Sequence, residues 1–196
     1  RCRELLIPGA KVILEDCSLN LNRKTKYSLI AVWKEDMLIN MDSQVPNTVV
    51  FEALQKNEIQ GFEDLIYLKR EVTYGSSRFD IYYETQDTKG FIEVKGVTLE
   101  NNRIAMFPDV PTIRGTKHVL EMIEVVKQGY RGAIFFLVQM KGPIEFRLNW
   151  QMDKSFSEAV KLASDNGVEI LVFDSHVDKD SICLSNPVQI DLNTKS

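Results

Sequence analysis

With 196 residues, the chain has a length that suits one large domain or two small ones. Its apolar fraction of 44% is that of a globular protein, and no stretch approaches the about 18 apolar residues that a membrane helix needs. A net charge of -4 argues against tight DNA binding through charge alone. Three widely spaced cysteines without a C-x-x-C pair predict reduced thiols in a cytoplasmic protein, and two histidines are too few for a typical zinc site.

Two strands are predicted near the start of the chain, over residues 10–15 and 27–33, because β-branched and apolar residues are enriched there. The polar turn between them carries a basic cluster, formed by Arg23, Lys24 and Lys26. On a barrel loop such residues can meet a nucleic-acid backbone. An ordinary solvated hairpin loop explains the same residues, so both interpretations stay open.

A linker is expected over residues 41–45, before a helix in which four apolar residues recur at helical spacing, namely Val49, Val50, Ala53 and Leu54. Glu52 lies off this apolar stripe. Its side chain therefore faces either a functional site or solvent, and the spacing alone does not decide between them.

Three strands are predicted next, over residues 65–74, 78–84 and 91–97. Alternation along the third strand places Glu93 and Lys95 on one face and Ile92 and Val94 on the opposite, apolar face. A strand that gives one face to the core and the other to an acid and a lysine indicates a special role for the charged pair.

The turn at residues 85–90 decides whether Asp80 meets this pair. A loop centred on residues 86 and 87 sets Asp80 opposite Glu93, and a loop one residue later at each end sets it near Lys95. Either register brings the three side chains onto one surface. The same alternation predicts a shared core face for three residues of the middle strand, Phe79, Ile81 and Tyr83.

Asp80, Glu93 and Lys95 match the chemistry of metal-dependent cleavage. The two carboxylates are the oxygen ligands that Mg2+ prefers, and the lysine can orient a water molecule or stabilise charge on a phosphate. Metal-assisted hydrolysis of a phosphodiester bond needs little beyond these groups. A solvated face with cross-strand ion pairs would give the same spacing, so the pattern alone leaves both alternatives open.

The longest helical pattern covers residues 112–130, with an apolar stripe on one side and a glycine near its end. Arg114, Lys117 and His118 fall on one polar face of it. If this face looks into the site, they are candidates for binding substrate phosphates; if it looks into solvent, they are ordinary surface residues. Arg78 either binds phosphate or pairs with a carboxylate.

The last third of the chain alternates strands and helices. A nearly all-apolar strand over residues 132–140, a helix over 155–166 and a second apolar strand over 168–173 predict a mixed sheet with a parallel pair in its middle. Residues from Asp174 onward indicate an edge hairpin or a tail. The sequence therefore predicts an α/β (α+β) fold, in which helices flank a mixed sheet.

Five motifs of the chain occur in the order that one known family shows. They are PNTVVFEAL at 46–54, REVTYGSSRFD at 70–80, EVKGVTL at 93–99, FPD at 107–109 and RGTKH at 114–118. With these motifs the chain resembles the sugar fermentation stimulation protein A family from about residue 6 to residue 173. It departs from the family at Thr116, where Gln is usual, and at Gly96, where Ser is common.

The resemblance implies two domains. Residues 1–42 are expected to form an oligonucleotide-binding (OB) β-barrel that is incomplete because its N-terminal part is missing, and residues 43–196 a restriction-endonuclease-like domain of the PD-(D/E)xK type. Asp80, Glu93 and Lys95 then occupy the nuclease-site positions. Glu52 is a further acid that joins the metal site in this interpretation.

The resemblance also implies that DNA is the partner. Two functions are compatible with it, a Mg2+-dependent nuclease and a non-catalytic DNA-binding regulator of sugar (maltose) catabolism genes. No membrane contact and no protein partner are indicated, and a homodimer is left open.

Overall fold

Three β-sheets and three helices make up the part of the chain that the computed structural model describes, namely residue 2, residues 4–20 and residues 22–194. The strands are β1 (Val12–Asp16), β2 (Tyr27–Lys34), β3 (Met37–Asn40), β4 (Tyr67–Tyr74), β5 (Ser77–Glu84), β6 (Lys89–Val97), β7 (Leu99–Asn101), β8 (Ile104–Phe107), β9 (Arg131–Val138), β10 (Glu145–Leu148), β11 (Glu169–Val177), β12 (Ile182–Pro187) and β13 (Gln189–Asp191). The helices are α1 (Val45–Gln55), α2 (Ile113–Lys127) and α3 (Lys154–Asp165). No helix within these residues is long and apolar enough to cross a bilayer.

The N-terminal sheet consists of β1, β2 and β3, all antiparallel. Its buried residues are Ala31, Val32, Leu38, Ile39 and Asn40. The strands predicted over 10–15 and 27–33 correspond to β1 and β2.

The main sheet has the strand order β12-β11-β9-β6-β5-β4, and its central strands β6, β9 and β11 are parallel. Residues 132–138 of β9 are buried on both faces, which explains their nearly uninterrupted apolar run. One core cluster joins α1 to the sheet, and the other joins α2 and α3 to the opposite face. The predicted mixed sheet with parallel strands in its middle is therefore confirmed.

Capping side chains fix the starts of α2 and α3. Thr112 accepts a hydrogen bond from the backbone NH of Gly115 at 3.1 Å, and Asp153 accepts one from the NH of Phe156 at 2.9 Å. Asp153 also accepts from the NH of Thr112 at 2.8 Å, so the two helix starts are linked. Each cap satisfies a donor that the first helical turn leaves open.

A third sheet, with the order β13-β10-β8-β7, was not predicted. Its strands β7 and β8 are only 3 and 4 residues long, which is too short for a periodic pattern. The turn between them uses Asn102 and Arg103 with positive φ angles of 52° and 64°, as a tight hairpin turn requires.

The predicted common face of β5 is wrong at one residue. Ile81 and Tyr83 pack in the cluster with α1, whereas Phe79 packs in the cluster with α2. Opposite this point, Glu71 of β4 has a φ of 55°, in the left-handed region that interrupts a regular strand. The hairpin changes face beside Asp80, which a simple alternation cannot anticipate.

A buried amide connects the N-terminal sheet to the main sheet. Gln139, directly after β9, donates from Nε2 to the backbone oxygen and to Oδ1 of Asn40, at 3.2 and 3.0 Å, and to the backbone oxygen of Asp42 at 3.0 Å. A Cβ at Gly96 would come within 2.3 Å of the Gln139 side-chain oxygen. Glycine at this position thus permits the close approach that anchors the linker.

Candidate active site

The carboxylate of Asp80 lies where β5 and β6 separate. The ladder between the two strands runs from Glu84 opposite Lys89 to Ile81 opposite Ile92, and this register sets Asp80 opposite Glu93. It is the first of the two registers considered from the sequence. At Asp80 a side-chain hydrogen bond replaces the backbone ladder: Oδ2 of Asp80 accepts from the NH of Val94 at 2.8 Å.

The second oxygen of Asp80 is bound by α1. Asn47, in the first turn of that helix, donates from Nδ2 to Oδ1 at 2.7 Å. Burial and then the neighbouring charge of Glu93 raise the pKa of Asp80 above its ordinary value, and the hydrogen bond from Val94 offsets only part of this. A nearby cation would stabilise the charged form of a buried carboxylate that lies next to another carboxylate.

Glu93 is nearly inaccessible to solvent, and its two oxygens have different surroundings. Oε1 accepts from Lys95 Nζ and from His118 Nδ1, both at 2.6 Å. Because a carboxylate only accepts, Nδ1 carries the hydrogen in this pair. Oε2 is buried and has no hydrogen-bond partner among the described residues.

Opposing influences set the charge of Glu93. Burial on its own raises the pKa of Glu93, but the hydrogen bond from His118 and the charge and hydrogen bond of Lys95 outweigh it, so that the pKa lies below its ordinary value. The neighbouring Asp80 has a raised pKa. Two adjacent carboxyl groups with pKa values moved in opposite directions are typical of functional sites.

These residues fit a hard divalent cation. The unpartnered Oε2 of Glu93 has a free coordination position, and each oxygen of Asp80 accepts one hydrogen bond and retains a further lone pair. No set of three or more His, Cys, Asp or Glu side chains in the described ranges is arranged to hold a metal ion. A cation here would take two carboxylates and complete its shell with water or phosphate oxygens, as Mg2+ usually does.

Glu52 is not brought to these carboxylates. It lies on the exposed side of α1, and no hydrogen bond or ion pair between described residues joins it to Asp80 or Glu93. Asn47 is the residue of α1 that contacts the site. Asn47 was not predicted as a site residue. It follows Pro46 at the start of the helix, where polar residues are common. A role for Glu52 stays a prediction.

The polar face of α2 divides into an inner and an outer part. His118 is buried and contacts Glu93, with its ring also 6.2 Å from that of Phe79. Arg114 and Lys117 are exposed, and Lys117 Nζ lies 3.7 Å from the carboxylate of Glu121. His118 therefore supports Glu93, while Arg114 and Lys117 remain accessible to a ligand.

The other predicted basic residues lie on the surface. Arg78 is exposed and its guanidinium lies 3.5 Å from the carboxylate of Glu71, the ion pair that was the alternative to phosphate binding. Arg23, Lys24 and Lys26 are exposed on the loop between β1 and β2. Their contact with nucleic acid stays a prediction.

A cavity of about 250 Å³ adjoins Lys95. We call it the linker cavity. Its walls come from the linker, the end of β6, the loop between β8 and α2, and Gln139. The residues that line it include Met41, Ser43, Lys95, Thr98, Phe107 and Asp109. A larger cavity of about 680 Å³ lies between the β2–β3 turn and the β7–β8 turn, and its lining contains none of Asp80, Glu93 and Lys95. Lys95 lines the smaller cavity, whereas Asp80 and Glu93 are not among its lining residues.

Comparison with known proteins covers nearly the whole chain. Residues 1–41 match the family model described as the SfsA N-terminal OB domain, and residues 44–181 match that of the sugar fermentation stimulation protein RE domain. The sugar fermentation stimulation protein homolog of Alkaliphilus oremlandii (strain OhILAs) is 64% identical over 195 residues, which cover 97% of this chain and 83% of the relative. The homolog of Clostridium botulinum (strain Langeland / NCTC 10281 / Type F) is 51% identical over 193 residues, covering 98% and 84%.

A solved structure shares the fold. The structure of Pyrococcus furiosus SfsA in complex with Ca2+ superposes with a TM-score of 0.88 at 26% sequence identity, covering 97% of this chain and 82% of that chain. The expected arrangement, an OB-type N-terminal part followed by an α/β domain with a mixed sheet, is thereby confirmed.

Proposed function

We propose that this chain, which belongs to the sugar fermentation stimulation protein family, binds DNA and cleaves a phosphodiester bond in it with the help of a divalent cation. The observation that carries the proposal is the unpartnered, buried Oε2 of Glu93 beside Asp80 and Lys95. A buried carboxylate oxygen without a donor is costly unless a cation or another group satisfies it.

The proposed roles of the residues follow from their contacts. Asp80 and Glu93 hold the cation, and Asn47 and His118 keep the two carboxylates in place from α1 and α2. When bound, Mg2+ would stabilise negative charge on the phosphate and lower the pKa of a water molecule. The relative solved with Ca2+ supports a hard cation with oxygen ligands.

Lys95 is the residue proposed to act on the reacting groups. Its ammonium lies 2.6 Å from Glu93 Oε1, and its side chain, which is 15% exposed, borders the linker cavity. From there it can orient the attacking water or donate to the phosphate oxygen on which charge develops. Arg114 and Lys117, exposed on α2, are proposed to bind phosphates of the same strand.

The second candidate function is that of a DNA-binding regulator without catalysis. The relatives carry the name sugar fermentation stimulation protein, which favours a role in the control of sugar use. Under this alternative the carboxylates and Lys95 stabilise the fold of the domain, and DNA binding does not need the cation.

Cleavage assays separate the two candidates. Single- and double-stranded DNA is incubated with the protein in Mg2+, in Mn2+ and in EDTA, and binding is followed on the same samples. We expect cutting that requires the cation and is lost in Lys95→Ala and Asp80→Ala. The matched control is Lys89→Ala, on the same strand, whose side chain is 57% exposed and paired with Glu84 at 3.3 Å.

Each outcome favours one candidate. Cutting lost in Lys95→Ala but not in Lys89→Ala, with DNA binding retained, supports the nuclease. Binding that is unchanged by EDTA, with no cutting under any condition, contradicts it and leaves the regulator.

A further inference from the structure

The linker cavity next to Lys95 has no role in the function argued so far. We infer that it binds one unpaired nucleotide of the DNA strand whose phosphate lies at Lys95, so that the substrate is single-stranded or locally opened DNA. The inference deepens the proposed function and rests on it.

The position of the cavity favours a ligand site. It lies at the carboxyl ends of the parallel strands β6 and β9, which supply Lys95 and Gln139 to its wall. Crevices at this end of parallel strands are the usual ligand sites of open α/β sheets. Lys95 belongs to both the charged cluster and the cavity, so a strand with its phosphate at Lys95 would place the neighbouring nucleotide inside.

The size of the cavity selects an unpaired nucleotide. Its volume of about 250 Å³ is slightly below the about 300–1,000 Å³ of sites for drug-sized ligands. One base with its sugar fits such a space, whereas a base pair does not. Enzymes that bind a single base in a pocket act on single strands or turn the nucleotide out of the duplex.

The lining has the chemistry of a base site. Met41 and Phe107 offer apolar surface to the faces of a base, and the carboxylate of Asp109 can accept from the exocyclic amino groups of cytosine or adenine. Hydroxyl groups of Ser43 and Thr98 can serve the sugar and phosphate. The lining thus combines acceptors with apolar surface, which match the edges and the faces of a base.

The wall formed by the β8–α2 loop is held in advance of binding. The ring of Phe107 packs against Phe136 and Phe156, with centroids 5.5 and 5.2 Å away. The backbone oxygens of Phe107 and Pro108 accept from Asn149, at 2.8 and 3.1 Å. A wall that is fixed in this way loses little conformational entropy when a ligand binds.

A filled cavity tests the inference. Ser43→Trp introduces a bulky ring into the linker cavity from the exposed linker, without changing Asp80, Glu93 or Lys95. The control is Gln44→Trp, one residue later, which is also exposed and does not line this cavity. Fluorescence anisotropy in Mg2+ compares a blunt duplex with the same duplex bearing a single-stranded 3′ tail, both with phosphorothioate linkages that resist cutting.

We expect the tailed duplex to bind about tenfold tighter than the blunt one, the effect of one well-held base. Ser43→Trp should abolish this difference and Gln44→Trp should keep it, with Mg2+ affinity measured by calorimetry equal in all three proteins. A second variant, Asp109→Ala, is expected to remove a preference for cytosine or adenine over thymine in the tail.

Two results would overturn the inference while the proposed function stands: equal affinity for tailed and blunt duplexes in the unchanged protein, or a tail preference that survives in Ser43→Trp. If neither duplex binds, DNA is not the ligand, and the proposed function and the inference fail together.

Discussion

The contact between His118 and Glu93 allows a quantitative test of the site. His118 Nδ1 lies 2.6 Å from Glu93 Oε1, and the two side chains are 8% and 4% exposed, so solvent screens little of their interaction. A hydrogen bond to a charged group contributes about 1.5–3 kcal/mol. His118→Ala also removes the ring that packs near Phe79. We therefore expect the free energy of unfolding to fall by about 2–4 kcal/mol.

A double-mutant cycle isolates the contact from the packing. Urea unfolding is measured in EDTA for the unchanged protein, His118→Ala, Glu93→Ala and the double variant, and we expect a coupling free energy of about 1.5–3 kcal/mol. His118→Asn is the control, because its amide can still donate to Glu93 and should restore part of the stability. A coupling below about 0.5 kcal/mol, the usual error of additivity, would refute the reasoning that His118 holds Glu93.

Three further predictions concern the carboxylates and the linker. Because the pKa of Asp80 is raised in the folded protein, its charge destabilises the fold at pH 7. The free energy of unfolding should therefore fall as the pH rises above the ordinary pKa of 3.8, and Asp80→Asn should remove this fall and abolish Mg2+ binding in calorimetry; an equal fall in the variant would contradict this. The pKa of Glu93 is lowered from 4.5, so its contribution to stability is present above that pH and should be lost as the pH falls further, as acid unfolding of Glu93→Gln beside the unchanged protein would reveal. Gln139→Ala removes three hydrogen bonds to Asn40 and Asp42 and should speed proteolysis within residues 41–44 several-fold, whereas an unchanged rate would show that other contacts hold the linker.

Short-range patterns in the sequence were enough to predict the hairpin and the three residues at its centre. The period of a strand is two residues, so alternation assigns Glu93 and Lys95 to one face, and the even loop brings Asp80 opposite Glu93. The buried run of β9 was visible because both its faces are covered. Both inferences depend on residues that are close together in the chain.

The contacts that complete the site join residues far apart in the chain, and no local pattern encodes them. Asn47 reaches Asp80 across 33 residues, and His118 reaches Glu93 across 25. Helical spacing grouped His118 with Arg114 on one polar face, but only the packing of α2 on the sheet decides that His118 turns inward and Arg114 outward. The face change beside Asp80 coincides with the left-handed backbone of Glu71 in the neighbouring strand, a conformation that apolar alternation does not predict.

The charged cluster is poorly satisfied by the protein alone, and this links stability to function. Asp80 is buried next to a second carboxylate, and Glu93 Oε2 has no donor among the described residues. Sequences selected for stability alone would replace such groups, since a buried carboxylate beside another carboxylate and a buried oxygen without a donor both cost stability. A bound cation would satisfy both carboxylates, and a ligand that binds only the folded state stabilises it in proportion to the logarithm of its concentration once it is in excess. Asp80, whose charge is unfavourable in the fold without a cation, is therefore one of the groups that would hold it, and Mg2+ should raise the thermal midpoint of the unchanged protein but not that of Asp80→Asn.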